Sequence, residues 1–193
     1  YRWPDDQMVP VGSPYFADYM LRLLIELGRA EEAQSIIQER WGEFSRQGGT
    51  SVWEVWDMEQ SLSHAWSCAP VPLAAHYFLG VHQKDSDPGE IYWILPIAGS
   101  LRTVRGRVMT RHGAVHVEWK TEPTWLLEVD LPDGVTFHVG LPIRSGLSVE
   151  LDGEITQLEE SIIRCQETFQ IIQLSGGRHT LRHVLDTENE PIT

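Results

Sequence analysis

The chain has 193 residues, of which 41% are hydrophobic and 22% are charged, a composition typical of an ordinary globular protein with one large or two small domains. Its formal net charge is −13, and because such a charge repels phosphate backbones we expect no nucleic-acid partner. No apolar run approaches the length that a membrane-spanning helix needs, so we expect no membrane partner either.

The start of the chain and its cysteines say little about its location. The opening Tyr1-Arg2-Trp3-Pro4 lacks an initiator methionine, a basic start and an apolar signal core, which indicates a piece cut from something longer and leaves the localisation unpredicted. Cys68 and Cys165 lie far apart and form no CxxC pattern. We therefore predict two small buried hydrophobic residues, no disulfide framework, no metal site and no cofactor.

Helical spacing dominates the N-terminal part. Ser13-Pro14 is typical of an N-cap followed by proline at the first helical position, and Gly28 is expected to end the helix. A second helix with an apolar face follows almost at once, which predicts a helical hairpin, and a shorter apolar helix is expected at about 72–79. The predicted apolar rows are Phe16, Met20, Leu23 and Leu27 in the first helix and Ala33, Ile36, Ile37, Trp41 and Phe44 in the second.

Beyond Gly80 the period changes to short alternating runs broken by Gly, Pro and Asp, as strands and turns require. Four runs predict a meander of antiparallel strands, two later runs complete a β-sandwich, and a polar tail is expected to fray. The fold class is therefore α+β, with two modules at 1–80 and 81–193. The four runs are 101–109, 114–120, 125–131 and 135–141, the later two are 161–174 and 178–184, and the tail is 186–193.

The segment 50–69, TSVWEVWDMEQSLSHAWSCA, crowds tryptophans, carboxylates and a histidine between helices. Tryptophan faces stack on the C–H face of a pyranose, and glycosidic hydrolysis normally uses two carboxyl groups, so this loop is a candidate sugar site. Composition alone leaves plainer roles open, namely core anchors, solvated carboxylates and a structural histidine. These residues are Trp53, Trp56 and Trp66, then Glu54, Asp57 and Glu59, then His64.

Several segments then stand in a characteristic order. They are GSPYF at 12–16, GTSVWE at 49–54, SHAWS at 63–67, LGV at 79–81, Pro88-Gly89, and LPIAGSLRTVRGRVMTRHG at 95–113. In this order and spacing they resemble the end of the bacterial α-L-rhamnosidases of glycoside hydrolase family 78. The resemblance covers nearly the whole chain and fades after Val149.

The resemblance implies a division of labour between the two modules. In that family an (α/α)6 barrel holds the rhamnose and a β-sandwich follows it. Residues 1–80 would be the last, incomplete helices of the barrel and 81–193 the C-terminal sandwich. Glu54 matches the general base, His64 matches a sugar-contacting histidine, and Trp53 and Trp66 would help to shape the pocket.

The resemblance also implies that half of the catalytic machinery is missing, because the general acid and several acidic sugar ligands of the family lie on earlier barrel helices. Asp57 or Glu59 as a substitute acid lies too near Glu54 in sequence to bracket a sugar easily. We expect an intact parent that hydrolyses terminal α-L-rhamnosides by inversion, with a rhamnose-containing glycoside as its partner. This piece alone should be inactive or nearly so, and it could self-associate through exposed barrel helices.

Two other interpretations remain open. A noncatalytic carbohydrate-binding or accessory protein would use aromatic residues on the sandwich, for which Trp93, Trp119 and Trp125 are the candidates, although each is equally suited to a core position. Alternatively, the helices belong to another (α/α)6 hydrolase with a similar Trp-Glu loop and a different sugar.

Overall fold

The computed structural model describes residues 11–83, 91–156 and 160–185. The chain divides into two compact units, Tyr1–Ala74 and Ala75–Thr193. The helical hairpin belongs to the first unit, and every described strand belongs to the second. The Pro88-Gly89 loop and the tail at 186–193 lie outside the described residues.

The first unit begins with helix α1 (Pro14–Glu26), followed by α2 (Ala30–Arg46). The predicted helix start is confirmed, since the Ser13 hydroxyl accepts a hydrogen bond from the Phe16 N–H and Pro14 occupies the first turn. Gly28 has a φ of 75°, a conformation that glycine adopts without steric cost, and it turns the chain from α1 into α2.

The buried face of α1 differs from the predicted one. Phe16, Leu23 and Leu27 are 59%, 60% and 53% exposed. The buried residues of α1 are Pro14, Ala17, Leu21, Leu24 and Ile25. Both rows repeat at three and four residues, so periodicity does not distinguish them, and packing with α2 selects the row containing the small Ala17. On α2 the predicted face is largely confirmed, with Ala33, Ile36 and Phe44 buried.

Three short turns of helix close the helical part. A 3₁₀ turn spans Ala65–Ser67, α3 spans Pro70–Leu73, and a π-helical turn spans Ala74–Phe78. The sequence predicts a single helix at about 72–79, whereas the observed helical segment begins at Pro70 and continues as a π-helical turn.

Cys68 is exposed and Cys165 is buried, so the prediction of a buried residue is wrong for Cys68. No helix among the described residues is long and apolar enough to cross a bilayer.

The second unit consists of two sheets. Its strands are β1 (Val81–Gln83), β2 (Ile91–Ile94), β3 (Thr103–Thr110), β4 (Gly113–Lys120), β5 (Leu126–Leu131), β6 (Thr136–Pro142), β7 (Leu147–Leu151), β8 (Glu154–Thr156), β9 (Glu160–Arg164), β10 (Glu167–Leu174) and β11 (Gly177–Leu185). The strand order is β1-β2-β6-β10-β9 in one sheet and β3-β4-β5-β11-β7-β8 in the other. The predicted sandwich-like, antiparallel-rich architecture is therefore present.

Two details of the predicted strand order are wrong. The meander contains three strands, β3, β4 and β5, because β6 crosses to the other sheet and pairs with β2 in parallel and with β10 in antiparallel fashion. The run predicted at 161–174 is a hairpin of β9 and β10 that turns at Cys165 and Gln166, both with positive φ. Turn residues indicate where a strand ends but do not show which sheet the next strand joins.

The core of the second unit lies between the two sheets. Trp119, Phe137 and Leu127 are at most 1% exposed. The Trp119 indole N–H donates to the Phe78 carbonyl at 2.6 Å, which satisfies the polar atom of this buried ring. Burial of large apolar side chains from both sheets supplies the main stabilisation of the sandwich.

Arg164 on β9 binds the chain segments that lead into the sandwich. Its guanidinium donates to the carbonyls of Leu95 and His76, each at 2.7 Å, and lies 5.3 Å from the Tyr77 ring centroid. Gly80, with a φ of 80°, packs so closely that an added Cβ would lie 2.5 Å from the Leu95 carbonyl carbon. A charged planar donor and a glycine together hold the π-turn against the end of β2.

Candidate functional site

The loop after α2 folds back on itself. The Glu54 N–H donates to the Ser61 carbonyl at 2.8 Å, and the His64 N–H donates to the Val52 carbonyl at 2.9 Å. These two backbone hydrogen bonds align the two arms of the loop. As a result, two side chains that are separated in sequence come to lie side by side.

Glu54 and His64 form the centre of the candidate site. The Glu54 Oε2 lies 3.5 Å from the His64 Nδ1, and the two side chains are 28% and 31% exposed. A carboxylate and an imidazole at this separation can share a water molecule or the hydroxyls of a ligand. Asp57 and Glu59 are exposed in the same loop, where an Asp57 carboxylate oxygen accepts from the Glu59 N–H at 2.9 Å.

Trp66 extends the site from the other side of His64. The centroids of the His64 and Trp66 rings are 4.0 Å apart, and Trp66 is 47% exposed. The Trp41 indole N–H donates to the Ser67 carbonyl at 2.7 Å and so fixes the 3₁₀ turn that carries Trp66. Trp66 is thus an exposed aromatic face on a well-anchored turn, which suits contact with a sugar ring.

Trp53 occupies a different environment. It is 1% exposed, and its ring centroid lies 4.8 Å from that of Phe44. Trp56 is half-buried and donates its indole N–H to the Val11 carbonyl at 2.8 Å. Among the predicted site residues, the structure brings together Glu54, His64 and Trp66 and places Trp53 in the core. The predicted part of Trp53 in shaping a pocket stays a prediction.

Sequence analysis missed two tyrosines that adjoin this cluster. The Tyr15 ring centroid lies 5.3 Å from that of Trp66, and the Tyr15 and Tyr19 hydroxyls are 3.1 Å apart. Hydrogen bonding to Tyr15 raises the pKa of the Tyr19 phenol above its usual value. The signal was a pair of tyrosines four residues apart at the start of a helix, a spacing that places both on one face.

The aromatic residues suggested for a binding sandwich are buried. Trp119 is 1%, Trp125 is 6% and Trp93 is 8% exposed, and the first two belong to the core between the sheets. The accessory-protein interpretation therefore has none of the exposed tryptophans that it invoked. In the described part of the chain, no three His, Cys, Asp or Glu residues are grouped so that they could hold a metal ion.

Part of the chain matches a family model. Residues 86–156 match the family model described as "Bacterial alpha-L-rhamnosidase C-terminal domain". No curated protein matches the chain.

Solved structures resemble most of the chain. An α-L-rhamnosidase from Dictyoglumus thermophilum superposes with a TM-score of 0.75 at 19% identity over 88% of this chain and 20% of its own length. The Streptomyces avermitilis enzyme, which was solved with L-rhamnose, gives 0.72 at 18% identity over 86% and 17%. A family 78 rhamnosidase of Bacillus sp. GL1 gives 0.56 at 27% identity over 61% and 13%. The chain thus spans about a fifth, or less, of the length of these three enzymes.

Proposed function

The chain resembles the C-terminal portion of the bacterial α-L-rhamnosidases of family 78, and from this premise we propose that it is part of an inverting enzyme that removes terminal α-L-rhamnose from glycosides. The observation that carries the proposal is the Glu54–His64 pair, with Oε2 and Nδ1 3.5 Å apart beside the exposed ring of Trp66. A partly exposed carboxylate, an imidazole and an aromatic face can supply the base, a hydrogen-bonding group and the stacking surface of a sugar-hydrolysing site, which normally also uses a second carboxyl group.

In this proposal the two modules have different roles. The hairpin of α1 and α2 and the loop after it are the last helices of an (α/α)6 catalytic barrel, within residues 1–80. Residues 81–193 are the C-terminal sandwich. The two-helix hairpin that presents Glu54 on the following loop supports the first assignment, and the match to 86–156 supports the second.

Glu54 acts as the general base of the reaction. Its carboxylate removes a proton from a water molecule, the water oxygen attacks the anomeric carbon, and the bond from that carbon to the departing oxygen breaks. The departing oxygen takes a proton from a general acid elsewhere in the parent enzyme. Inversion places acid and base about 6.5–9.5 Å apart, which leaves room for the water.

His64 and Trp66 bind the sugar while Glu54 activates the water. His64 approaches Glu54 through Nδ1 at 3.5 Å, so the imidazole can hydrogen-bond to hydroxyls of the sugar beside the carboxylate. Trp66 supplies an apolar face for its C–H groups. Asp57 and Glu59 lie in the same loop as Glu54 and are poorly suited to protonate a group on the far side of the sugar. The isolated chain therefore lacks a general acid and has little or no activity.

The test is a calorimetric titration of the 193-residue chain with L-rhamnose and with D-glucose. We expect L-rhamnose to bind more tightly than D-glucose, and His64→Ala to weaken rhamnose binding about tenfold through loss of hydrogen bonds to the sugar. Glu54→Gln should alter rhamnose binding as well, whereas Glu59→Gln, which changes an exposed carboxylate of the same loop, should leave it unchanged.

Two results would contradict the proposal. Equal or tighter binding of D-glucose would favour a different (α/α)6 hydrolase, and rhamnose binding indifferent to both His64→Ala and Glu54→Gln would place the sugar elsewhere. Hydrolysis of methyl α-L-rhamnoside by the chain alone would contradict the absence of a general acid, because methoxide departs only when it is protonated.

The same proposal accounts for an exposed apolar ridge on α1. Tyr15, Tyr19, Leu23 and Leu27 follow one another at four-residue intervals and are 44%, 55%, 60% and 53% exposed. An apolar ridge of this length is unusual on a solvent-facing helix. We infer that neighbouring barrel helices cover its leucine end in the parent, and that the isolated chain self-associates through it.

A further inference from the structure

Trp41 on α2 is half-buried and contacts the candidate site at two places. Its indole N–H donates to the Ser67 carbonyl at 2.7 Å, and its ring meets the Trp56 ring edge to face, with 5.0 Å between the centroids. Trp56 follows Glu54 by two residues. Ser67 directly follows Trp66. One side chain of the helical hairpin therefore contacts both the segment that carries the carboxylate and the turn that carries the aromatic face.

Ser67 also links Trp41 to His64. The Ser67 N–H donates to the His64 carbonyl at 3.1 Å, and the Cys68 N–H donates to the Ala65 carbonyl at 3.1 Å. These two bonds close the 3₁₀ turn, and the bond from Trp41 holds its last residue. Ser67 is fully buried, so its carbonyl cannot exchange the indole donor for solvent without a cost.

The local sequence explains why the Ser67 carbonyl takes its donor from another element. In helical turns a carbonyl accepts from the N–H three or four residues later. The residue three positions after Ser67 is Pro70, which has no N–H. The next N–H, that of Val71, donates to the Cys68 carbonyl at 3.0 Å instead. The Trp41 indole thus supplies the donor that this part of the chain does not.

We propose that Trp41 is a positioning residue, which holds Trp66 and His64 at the place where they bind the rhamnose. This inference rests on the proposed function for the identity of the ligand. The backbone hydrogen bonds between the two arms of the loop align Glu54 with His64, but they do not include the turn at 65–67. The contact from Trp41 sets the position of that turn relative to the carboxylate.

The Trp56 ring, against which Trp41 packs, is itself held in place. Trp56 donates its indole N–H to the Val11 carbonyl at 2.8 Å and stacks on Phe44, with 5.9 Å between ring centroids. A group that positions others must have its own conformation fixed by packing and hydrogen bonds. Trp41 meets this requirement, because its ring packs on an anchored neighbour and its N–H is bound to a buried carbonyl.

The experiment replaces Trp41 by phenylalanine, which keeps an aromatic ring and removes the N–H. In calorimetric titrations of the 193-residue chain, Trp41→Phe should bind L-rhamnose about fivefold more weakly, the usual effect of one lost hydrogen bond. In a chain that already carries Trp66→Ala, the same change should weaken binding by less, because a group that it displaces is gone. Trp119→Phe, which removes an indole–carbonyl bond in the second unit, is the control and should leave the affinity unchanged.

Amide hydrogen exchange separates positioning from a general loss of stability. The Ser67 N–H should exchange faster in the Trp41→Phe variant, because the turn opens more often. The Glu54 N–H, which is bonded to the Ser61 carbonyl at 2.8 Å, should keep its rate. A merely structural role for Trp41 would speed the exchange of both amides.

The outcomes distinguish this inference from the proposed function. Unchanged rhamnose affinity in Trp41→Phe, an equally large loss in the Trp66→Ala background, or equal acceleration of both amides would each overturn the inference and leave the proposed function intact. If the unchanged chain binds no rhamnose, the proposed function is contradicted, and the Ser67 amide still decides whether Trp41 holds the turn. Faster exchange would uphold that role, and an unchanged rate would overturn it.

Discussion

Glu54 owes its position to backbone hydrogen bonds rather than to its own side chain. The N–H of Glu54 and the N–H of His64 pair with carbonyls on the opposite arm of the loop, at 2.8 and 2.9 Å, and this pairing brings carboxylate and imidazole together. The Gly49 N–H bonds to the Phe44 carbonyl at 2.8 Å and starts the loop. A substitution that disturbs these bonds would displace the site without touching its chemical groups.

The residues of the candidate site were predictable only where a motif marks them. Glu54, His64 and Trp66 stand in motifs of the resembling family, and the structure places them together. The exposure of each tryptophan was not predictable, since Trp53 and Trp66 occur in similar contexts and differ only in their tertiary surroundings. Tyr15 was missed because its contact with Trp66 joins distant parts of the sequence.

His82 is a histidine held in its neutral form. Its Nδ1 lies 2.8 Å from the Gly80 carbonyl oxygen, and its ring lies 5.0 Å from that of His76. Burial, followed by the positive charge of Arg164, lowers the pKa of His82 to about 3. The unfolded chain binds a proton at this side chain near its ordinary pKa of about 6.5, whereas the folded chain does not.

The second unit should therefore lose stability as the pH falls from about 6.5 towards about 3, because only the unfolded chain takes up the His82 proton. His82→Gln removes this contribution. When the pH is lowered from about 7 to about 4, the free energy of unfolding should decrease less in the variant than in the unchanged chain. The difference should be on the order of 2 kcal/mol. Urea unfolding at a series of pH values measures the difference.

The comparison between variants is needed because other groups titrate too. Burial lowers the pKa of His183, which acts in the same direction, and raises that of Glu167, which acts in the opposite direction. Both are present in each chain and cancel in the difference. His116→Gln, on the exposed face of β4, is the control. Identical pH profiles for the His82→Gln variant and the unchanged chain would contradict the prediction.

At the scale of elements, the ends of α1 were predictable and its buried face was not. Ser13, Pro14 and Gly28 act locally through capping and backbone conformation, so sequence alone located them. The two apolar rows are offset by one residue, and only the packing partner determines which row is buried. The same limit applies to β6, whose alternation predicted a strand but not the sheet that it joins.

The leucine end of the α1 ridge leads to a prediction about association. Replacing Leu23 and Leu27 together by glutamine should shift the chain from dimers or larger species to monomers, because it removes an exposed apolar surface. Sedimentation velocity over a concentration series measures this shift. The helix itself should persist, since glutamine is a good helix former.

Val71→Gln provides the control for this prediction. Val71 is also apolar and 70% exposed, but it lies off the α1 ridge. The Val71→Gln variant should associate to the same extent as the unchanged chain. A monomer at every concentration of the unchanged chain would contradict both this prediction and the proposal that neighbouring helices cover the leucine end of the ridge in the parent.

At the scale of the whole molecule, the stretch that matches the family model, residues 86–156, is shorter than the second unit, Ala75–Thr193. The family model ends at residue 156, the last residue of β8. Two later strands occupy interior positions, with β10 between β6 and β9 and β11 between β5 and β7. Without them, each sheet loses an interior strand, and the buried residues Phe137 and Leu127 lose their partners on β10 and β11.

A chain shortened to end at Thr156 should therefore contain an unfolded second unit, whereas a chain ending at Leu185 should keep it folded. Loss of β10 and β11 removes the buried side chains Phe169, Ile171 and Leu181, each of which typically contributes about 2–5 kcal/mol. Calorimetry and the dispersion of amide proton shifts distinguish the two chains. A cooperative transition of unchanged midpoint in the shorter chain would contradict the prediction.

The interior position of β11 also bears on how the protein is made. The ribosome delivers β3, β4 and β5 early, and these can pair as local hairpins, but β5 and β7 meet their shared neighbour only after residue 185 has emerged. Until then the nascent chain carries two open sheet edges and an uncovered apolar face. We expect the sandwich to close only after residue 185 has left the ribosome, and the nascent chain to depend on chaperones until then.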